Sequence, residues 1–192
     1  RDFMKATPSI ILASESERRK QLMERTGMTF RSVTSNAEEI SPDHLTPIEV
    51  AKTNANRKAL SVAREYPEHL VIGADTVVAL GAKAYGKPKD IQEAYTFLNQ
   101  LSGKTHDVST GVCIITLKPK KVRLFAVTTL VSIQPLRDRI IREYLSMINP
   151  LDKAGAYAIQ EYGEWIIGEI FGSYTNVVGL PMERLQEELN QW

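Results

Sequence analysis

A single cysteine, Cys113, is found among the 192 residues. No internal disulfide can form, and without a Cys/His cluster around it no structural zinc site is offered. Such usage suits a reducing compartment, so the cytoplasm is the expected location. Histidine occurs three times, at the scattered positions His44, His69 and His106, with neither His-Glu-x-x-His nor Gly-x-Ser-x-Gly present. Zinc hydrolysis and Ser-His-Asp acyl chemistry therefore have no footing. Gly-x4-Gly-Lys-Ser/Thr is missing, as is Gly-x-Gly-x-x-Gly after a strand, which removes the P-loop and dinucleotide cradles. Charge of one sign is also lacking: 24 Lys and Arg stand against 23 Asp and Glu, a net +1. No overall field draws such a chain to nucleic acid or a membrane, so any anion must be gripped locally. The two Trp and seven Tyr are not interleaved with basic residues as a stacking platform, which speaks against a single-stranded nucleic-acid binder. The longest nearly apolar runs, 108–117 and 122–131, are broken by Thr, Ser or Arg and fall short of the roughly 20 residues of a membrane span. Arg1 to Lys5 lacks a signal peptide's apolar stretch, and the internal Met4 makes a non-native origin of the leading residues an expectation.

What is present, 43% hydrophobic and 24% charged residues, suits one domain spanning 1–192, elongated in two lobes or not. The chain alternates short apolar runs with capped amphipathic stretches. Ser9 to Ala13 predicts a buried strand, and Ser14-Glu15-Ser16-Glu17 has the form of a capping box opening a helix to about Gly27. Met28 to Thr34 predicts a second strand and Asn36 to His44 a loop. Thr46-Pro47-Ile48-Glu49 opens a helix to about Glu65, with Ala51, Ala55, Ala59 and Ala63 at i, i+4 spacing as a thin face for close packing. Leu70 to Ala74 predicts a strand with Asp75 at its carboxyl end. Asp90 to Glu93 starts a helix closed near Gly103. Val108 to Leu117 and Val122 to Ile133, joined by Lys118 to Lys121, predict a long antiparallel hairpin. A helix over 136–147, a strand over 165–170 and a helix over 181–190 complete an α/β chain with a mixed sheet.

Several residues in this frame could carry chemistry. Ser14, Ser16, Arg18 and Arg19 at a helix start offer hydroxyls, free N–H groups and guanidinium groups within about one turn, an anion site in outline; the alternative is a plain cap with solvated arginines. Asp75 falls where α/β sheets gather ligands, or merely turns the chain. Glu38 and Glu39 could reach the same edge, or be surface charge. Two carboxylates beside phosphate-binding cations would suit Mg²⁺. Lys87, between Gly86 and Pro88, could neutralise a phosphate or mark a surface turn, and Lys58 could be a solvated helix residue. Cys113, within an apolar run, reads as a buried small hydrophobe.

In order along the chain, Ala13-Ser14-Glu15-Ser16-Glu17-Arg18-Arg19, Glu38-Glu39, Lys58-Ala59, Gly73-Ala74-Asp75-Thr76, Gly86-Lys87-Pro88, Leu101-Ser102-Gly103-x-x-His106, Asp152 to Gln160 and Asn176 to Pro181 resemble the Maf family of nucleoside triphosphate pyrophosphatases, also called septum formation inhibitor proteins. The resemblance covers nearly the whole chain. It implies a twisted mixed sheet with helices on both faces, a two-lobed architecture similar to inosine triphosphate pyrophosphatases with a central cleft, and hydrolysis of a nucleoside triphosphate to monophosphate and pyrophosphate with Mg²⁺ or Mn²⁺. Asp75 matches the family's proton acceptor and a metal ligand. Ser14, Arg18, Arg19, Glu38, Lys58 and Lys87 match its substrate-binding positions, with Glu38 a second acid near the metal. Arg18, Thr76 and Gln160 match the subgroup acting on dTTP and UTP, and a carboxamide at Gln160 can meet the O4 and N3–H edge of uracil or thymine. A homodimer is also implied. Two departures stand out: Glu17 occupies a position usually held by Pro, and Asn54 competes with Lys58 for the lysine position. Purine specificity of the inosine triphosphate pyrophosphatase kind, and a non-catalytic nucleotide-binding regulator of cell division, are the alternative functions.

Overall fold

The computed structural model describes residues 8–192; the expectation attached to the residues around Met4 lies outside them. The strands are β1 (Ile10–Leu12), β2 (Phe30–Ser32), β3 (Leu70–Leu80), β4 (Lys83–Tyr85), β5 (Thr105–Leu117), β6 (Lys120–Ile133) and β7 (Ile167–Phe171). The helices are α1 (Glu17–Arg25), α2 (Pro47–Glu65), α3 (Ile91–Leu101), α4 (Asp138–Met147), α5 (Tyr174–Val178) and α6 (Met182–Asn190). They form the expected α/β arrangement around one mixed sheet of order β2-β1-β3-β5-β6-β7, with β4 also on β3. β1 runs parallel to β2 and β3, while β3, β5, β6 and β7 pair antiparallel. The long hairpin forms as predicted, from Thr105 opposite Ser132 to Leu117 opposite Lys120. Among the described residues no helix is long and apolar enough to cross a membrane.

The helix starts at α2 and α3 follow the caps written in their sequence, whereas α1 does not follow the expected form and α4 and α6 start without a side-chain cap. Thr46 and Glu49 exchange both bonds of the capping box on α2, and Asp90 caps α3. The box expected at Ser14 does not form. The chain is still extended at Ser16 (φ −63°, ψ 117°), so Ser16 becomes the cap, accepting from Arg19 N at 3.4 Å. Ser14 Oγ accepts from Ser16 N at 3.1 Å instead.

Ala51, Ala55, Ala59 and Ala63 are fully buried. Opposite them the sheet carries glycine: a Cβ on Gly73 would sit 2.5 Å from the Ala55 carbonyl oxygen, and one on Gly111 would strike the Ala51 carbonyl. Only small residues on both sides let α2 lie this close to β3 and β5. The opposite face is covered by α1, α5 and α6 at one end, through Leu22, Met23, Val178 and Leu185 on Leu12, Ile72 and Ile114. At the other end α3 and α4 cover it, through Leu98, Leu101, Ile141 and Tyr144 on Val78, Val108 and Val131. The long strands thus serve two hydrophobic lobes.

Asp75 does not end a strand. β3 runs on to Leu80 because Asp75 and Thr76 keep pairing with Gly111 and Thr110 of β5, and Val77 to Ala79 extend the apolar run. What ends is the other side of the ladder. β1 accompanies β3 only as far as Ile72, where Ala13 N donates to the Ile72 carbonyl oxygen at 2.8 Å, and β4 joins only at Val78. Residues 73–77 therefore form an open edge between two strands, and side chains from both faces of β3 reach it. β4 and α5, three and five residues long, carry too little periodicity to be anticipated.

Candidate active site

Over this open edge lies a cavity of about 890 Å³ between the two lobes. Asp75 stands at its floor, 7% exposed. Its Oδ1 accepts from Lys58 Nζ at 3.1 Å and its Oδ2 from Asn54 Nδ2 at 3.2 Å. The two candidates for a single lysine position therefore both belong to the site, because residues four apart on α2 share a face. Lys58 also pairs with Glu39 Oε1 at 2.7 Å. Burial pushes the Glu39 carboxyl up, but the hydrogen bond and charge of Lys58, with Lys87 and Arg19 behind it, hold it below the usual carboxylate range. Glu39 is thus an anion set among cations.

Glu38 is not brought to the cavity. It is exposed, and its carbonyl oxygen accepts from Arg57 Nε at 3.1 Å. Ile40 is clasped by Asn54 through its N–H at 2.8 Å and its carbonyl at 2.9 Å. Neighbouring residues of this irregular segment turn to different sides, and the clasp presents Glu39.

Arg19 is bound at both ends of its guanidinium: Nε donates to the Gly179 carbonyl at 2.7 Å and Nη2 to Thr76 Oγ1 at 3.0 Å. Desolvation lowers its pKa from the usual arginine value, and Asp75 opposes this; an arginine stays charged throughout. Thr110 Oγ1 gives its one hydrogen to the Asn176 carbonyl at 3.1 Å, so in the 2.8 Å contact between hydroxyls Thr76 must donate to Thr110. Thr76 accepts from Arg19 and gives to Thr110, leaving it no hydrogen for a ligand.

The remaining candidates arrive from both lobes. Ser14 and Arg18 line the cavity from the loop before α1 and from its first turn, and Lys87 from the segment after β4. Glu17, the departure from the family pattern, borders the cavity but is largely exposed and paired with Lys20 at 3.7 Å. The stretch 152–160 forms the far wall, with exposed Gln160 at its rim. Lys153, buried in that wall, donates to the Asn149 carbonyl at 2.8 Å and pairs with Asp152 at 2.8 Å and Glu161 at 3.0 Å. Gly155 N donates to the Gly86 carbonyl at 3.2 Å, linking this wall to the Lys87 segment. Tyr157 lines the wall, its hydroxyl 2.6 Å from His106 Nε2. Burial pushes His106 down to about 4 and raises Tyr157, so both are neutral near pH 7. Cys113, buried and driven up to about 12 by desolvation, is no nucleophile.

Sequence named Glu39 only beside Glu38 and Asn54 only as a rival to Lys58, and it gave Lys153 and Tyr157 no role of their own within the stretch 152–160. The i, i+4 relation of Asn54 to Lys58 is the signal that places both on one face of α2. Asp75 and Glu39 could hold a divalent cation. Among the described residues no group of three His, Cys, Asp or Glu side chains gathers, so protein oxygens alone would make a sparse site. Two carboxylates completed by substrate phosphate oxygens fit the donor preference of Mg²⁺.

The family model described as Maf-like protein matches residues 9–192. The chain is 43% identical over 183 residues to the dTTP/UTP pyrophosphatase of Akkermansia muciniphila, covering 95% of this chain and 96% of that protein. It is likewise 43% identical over 183 residues to the dTTP/UTP pyrophosphatase of Pelotomaculum thermopropionicum, with 95% and 96% covered. Against the dTTP/UTP pyrophosphatase of Clostridioides difficile the identity is 42% over 184 residues, with 96% and 95% covered.

Proposed function

The chain belongs to the Maf family, and from that premise we propose that it hydrolyses dTTP and UTP to the monophosphate and pyrophosphate. The observation that carries this reading is the clustering at one open strand edge of Asp75, Lys58, Glu39 and Arg19, in a cleft also lined by Arg18 and Lys87. Such a basin suits phosphoryl chemistry, in which positioning and charge neutralisation supply most of the rate.

Arg18, Arg19 and Lys87 grip the triphosphate, helped by Ser14. Lys58 shifts part of its charge from the acids to the phosphate oxygens. Asp75 accepts the proton of the attacking water; the bond between the α and β phosphates breaks, and pyrophosphate leaves with the electron pair, its new charge met by the cations. Mg²⁺ or Mn²⁺ held by Asp75 and Glu39 would supply Lewis-acid polarisation of phosphate oxygens. Gln160 at the rim meets the O4 and N3–H edge of the base, Arg18 contributes from α1 where it lines the same cleft, and Thr76 contributes through the placement of Arg19. A homodimer in the cytoplasm is proposed on the family likeness and the lone, buried cysteine.

A turnover panel of dTTP, UTP, CTP, ATP, GTP and ITP with Mg²⁺ or Mn²⁺, scored for pyrophosphate and orthophosphate, tests the reading. Pyrophosphate from dTTP and UTP is expected. Orthophosphate as sole product, or a preference for ITP, contradicts it.

A further inference from the structure

Asn54 is buried, 3% exposed, in a site otherwise built of charges. Both of its N–H donors are committed, one to Asp75 Oδ2 at 3.2 Å and one to the Ile40 carbonyl at 2.9 Å, while its Oδ1 accepts from Ile40 N at 2.8 Å. A flipped carboxamide would oppose donor to donor at Ile40 N and acceptor to acceptor at the other two, so its orientation is fixed. Ile40 follows Glu39, and Glu39 shares the Lys58 ammonium with Asp75. A closed ring of contacts results: Asn54 to Asp75, Asp75 to Lys58, Lys58 to Glu39, and Glu39 through its neighbour Ile40 back to Asn54.

The two acids reach this ring with unequal support. Asp75 is carried by a paired strand, whereas Glu39 lies in residues 33–46, a segment without helix or strand between β2 and α2. A free segment of that length would place a carboxylate over many positions. We propose that Asn54 is a positioning residue of the reaction: its carboxamide sets the Asp75 carboxylate and clamps the Glu39 segment, so that both acids face the same polyphosphate. The proposal rests on the pyrophosphatase reading. Asn54 has no donor left for substrate, Arg19 is held by Gly179 and Thr76, and Arg18 and Lys87 enter the cleft from α1 and from the segment after β4. Its loss therefore lowers turnover, not affinity.

The test compares the wild-type chain with Asn54→Ala and Asn54→Asp. Asp keeps the shape but turns an oxygen toward Asp75 Oδ2 and the Ile40 carbonyl. Pyrophosphate release from UTP is measured alongside the Kd of a non-hydrolysable α,β-imido nucleotide and hydrogen exchange of the peptide covering 36–44. Expected are a kcat fall of about 10²-fold for both variants, on the scale of a lost catalytic orientation, an analogue Kd within about threefold of wild type, and faster exchange in 36–44. Asn54→Ser, which retains one donor, should recover part of the kcat and gives the reading if the other two do not fold. A kcat within twofold of wild type, a loss confined to KM or Kd, or unchanged exchange overturns the role of Asn54. Absence of pyrophosphate from the wild-type chain overturns the underlying reading instead.

Discussion

The Lys58 ammonium lies 3.1 Å from Asp75 Oδ1 and 2.7 Å from Glu39 Oε1, one cation shared by two acids. It offsets the repulsion between the buried Asp75 carboxylate and the more exposed Glu39 carboxylate, where unit charges about 4 Å apart near a protein surface interact by about 4 kcal/mol. It also occupies the position between the acids, so a divalent cation and Lys58 compete for the same oxygens.

Lys58→Met should therefore separate turnover from metal affinity. Pyrophosphate release falls by about 10²-fold, the scale of one lost transition-state donor, while Mn²⁺ alone, followed by electron paramagnetic resonance without nucleotide, binds several-fold more tightly. Weaker Mn²⁺ binding in the variant would show that Lys58 supports the metal site.

Thr76→Val removes a hydroxyl at nearly constant shape. Arg19 Nη2 loses its 3.0 Å partner and Thr110 its donor. The cost to stability, read as a shift in denaturant midpoint, is about 1–3 kcal/mol for buried groups left unsatisfied. Arg19 retains Gly179, so kcat is largely preserved while KM for dTTP and UTP rises together. A changed dTTP to UTP ratio with unchanged KM for one of them would mean that Thr76 reads the base directly.

These relationships were only partly legible in the sequence. The α2 start, the long hairpin and the Ala face could be read because each follows from a short-range rule, a cap, a period of two or a spacing of four. The strand end at Asp75 could not. Whether β3 stops or continues depends on β5 offering Thr110 and Gly111 as partners, which no local pattern around Asp75 reveals. The choice of Glu39 over Glu38 was hidden for the same reason, since it is made by Asn54 clasping Ile40 from another element. Arg19, Thr76, Asp75 and Lys58 were found by motif, and their mutual distances needed the fold.

His106 gives a pH dependence of stability. Its imidazole titrates near 4 in the folded chain and near 6.5 when unfolded. Above about pH 6.5 it is neutral in both states and contributes nothing to the slope. As pH falls from about 6.5 to 4 the unfolded chain takes up the proton first, so stability declines, by roughly 3 kcal/mol at the limit. His106→Gln, which keeps a hydrogen-bonding partner for Tyr157, should remove that part of the decline in urea midpoints between pH 7 and 4. An identical pH profile in the variant would place the titration elsewhere.

The most direct measurement is pyrophosphate release from UTP and dTTP by Asp75→Asn, with nucleotide binding followed on the same preparation. The carboxamide fills the carboxylate's volume, its one oxygen can accept from Lys58 or from Asn54 but not from both, and it cannot take a proton from water. The account predicts loss of pyrophosphate release with triphosphate affinity retained within a few-fold. Turnover at the wild-type rate by Asp75→Asn would contradict it.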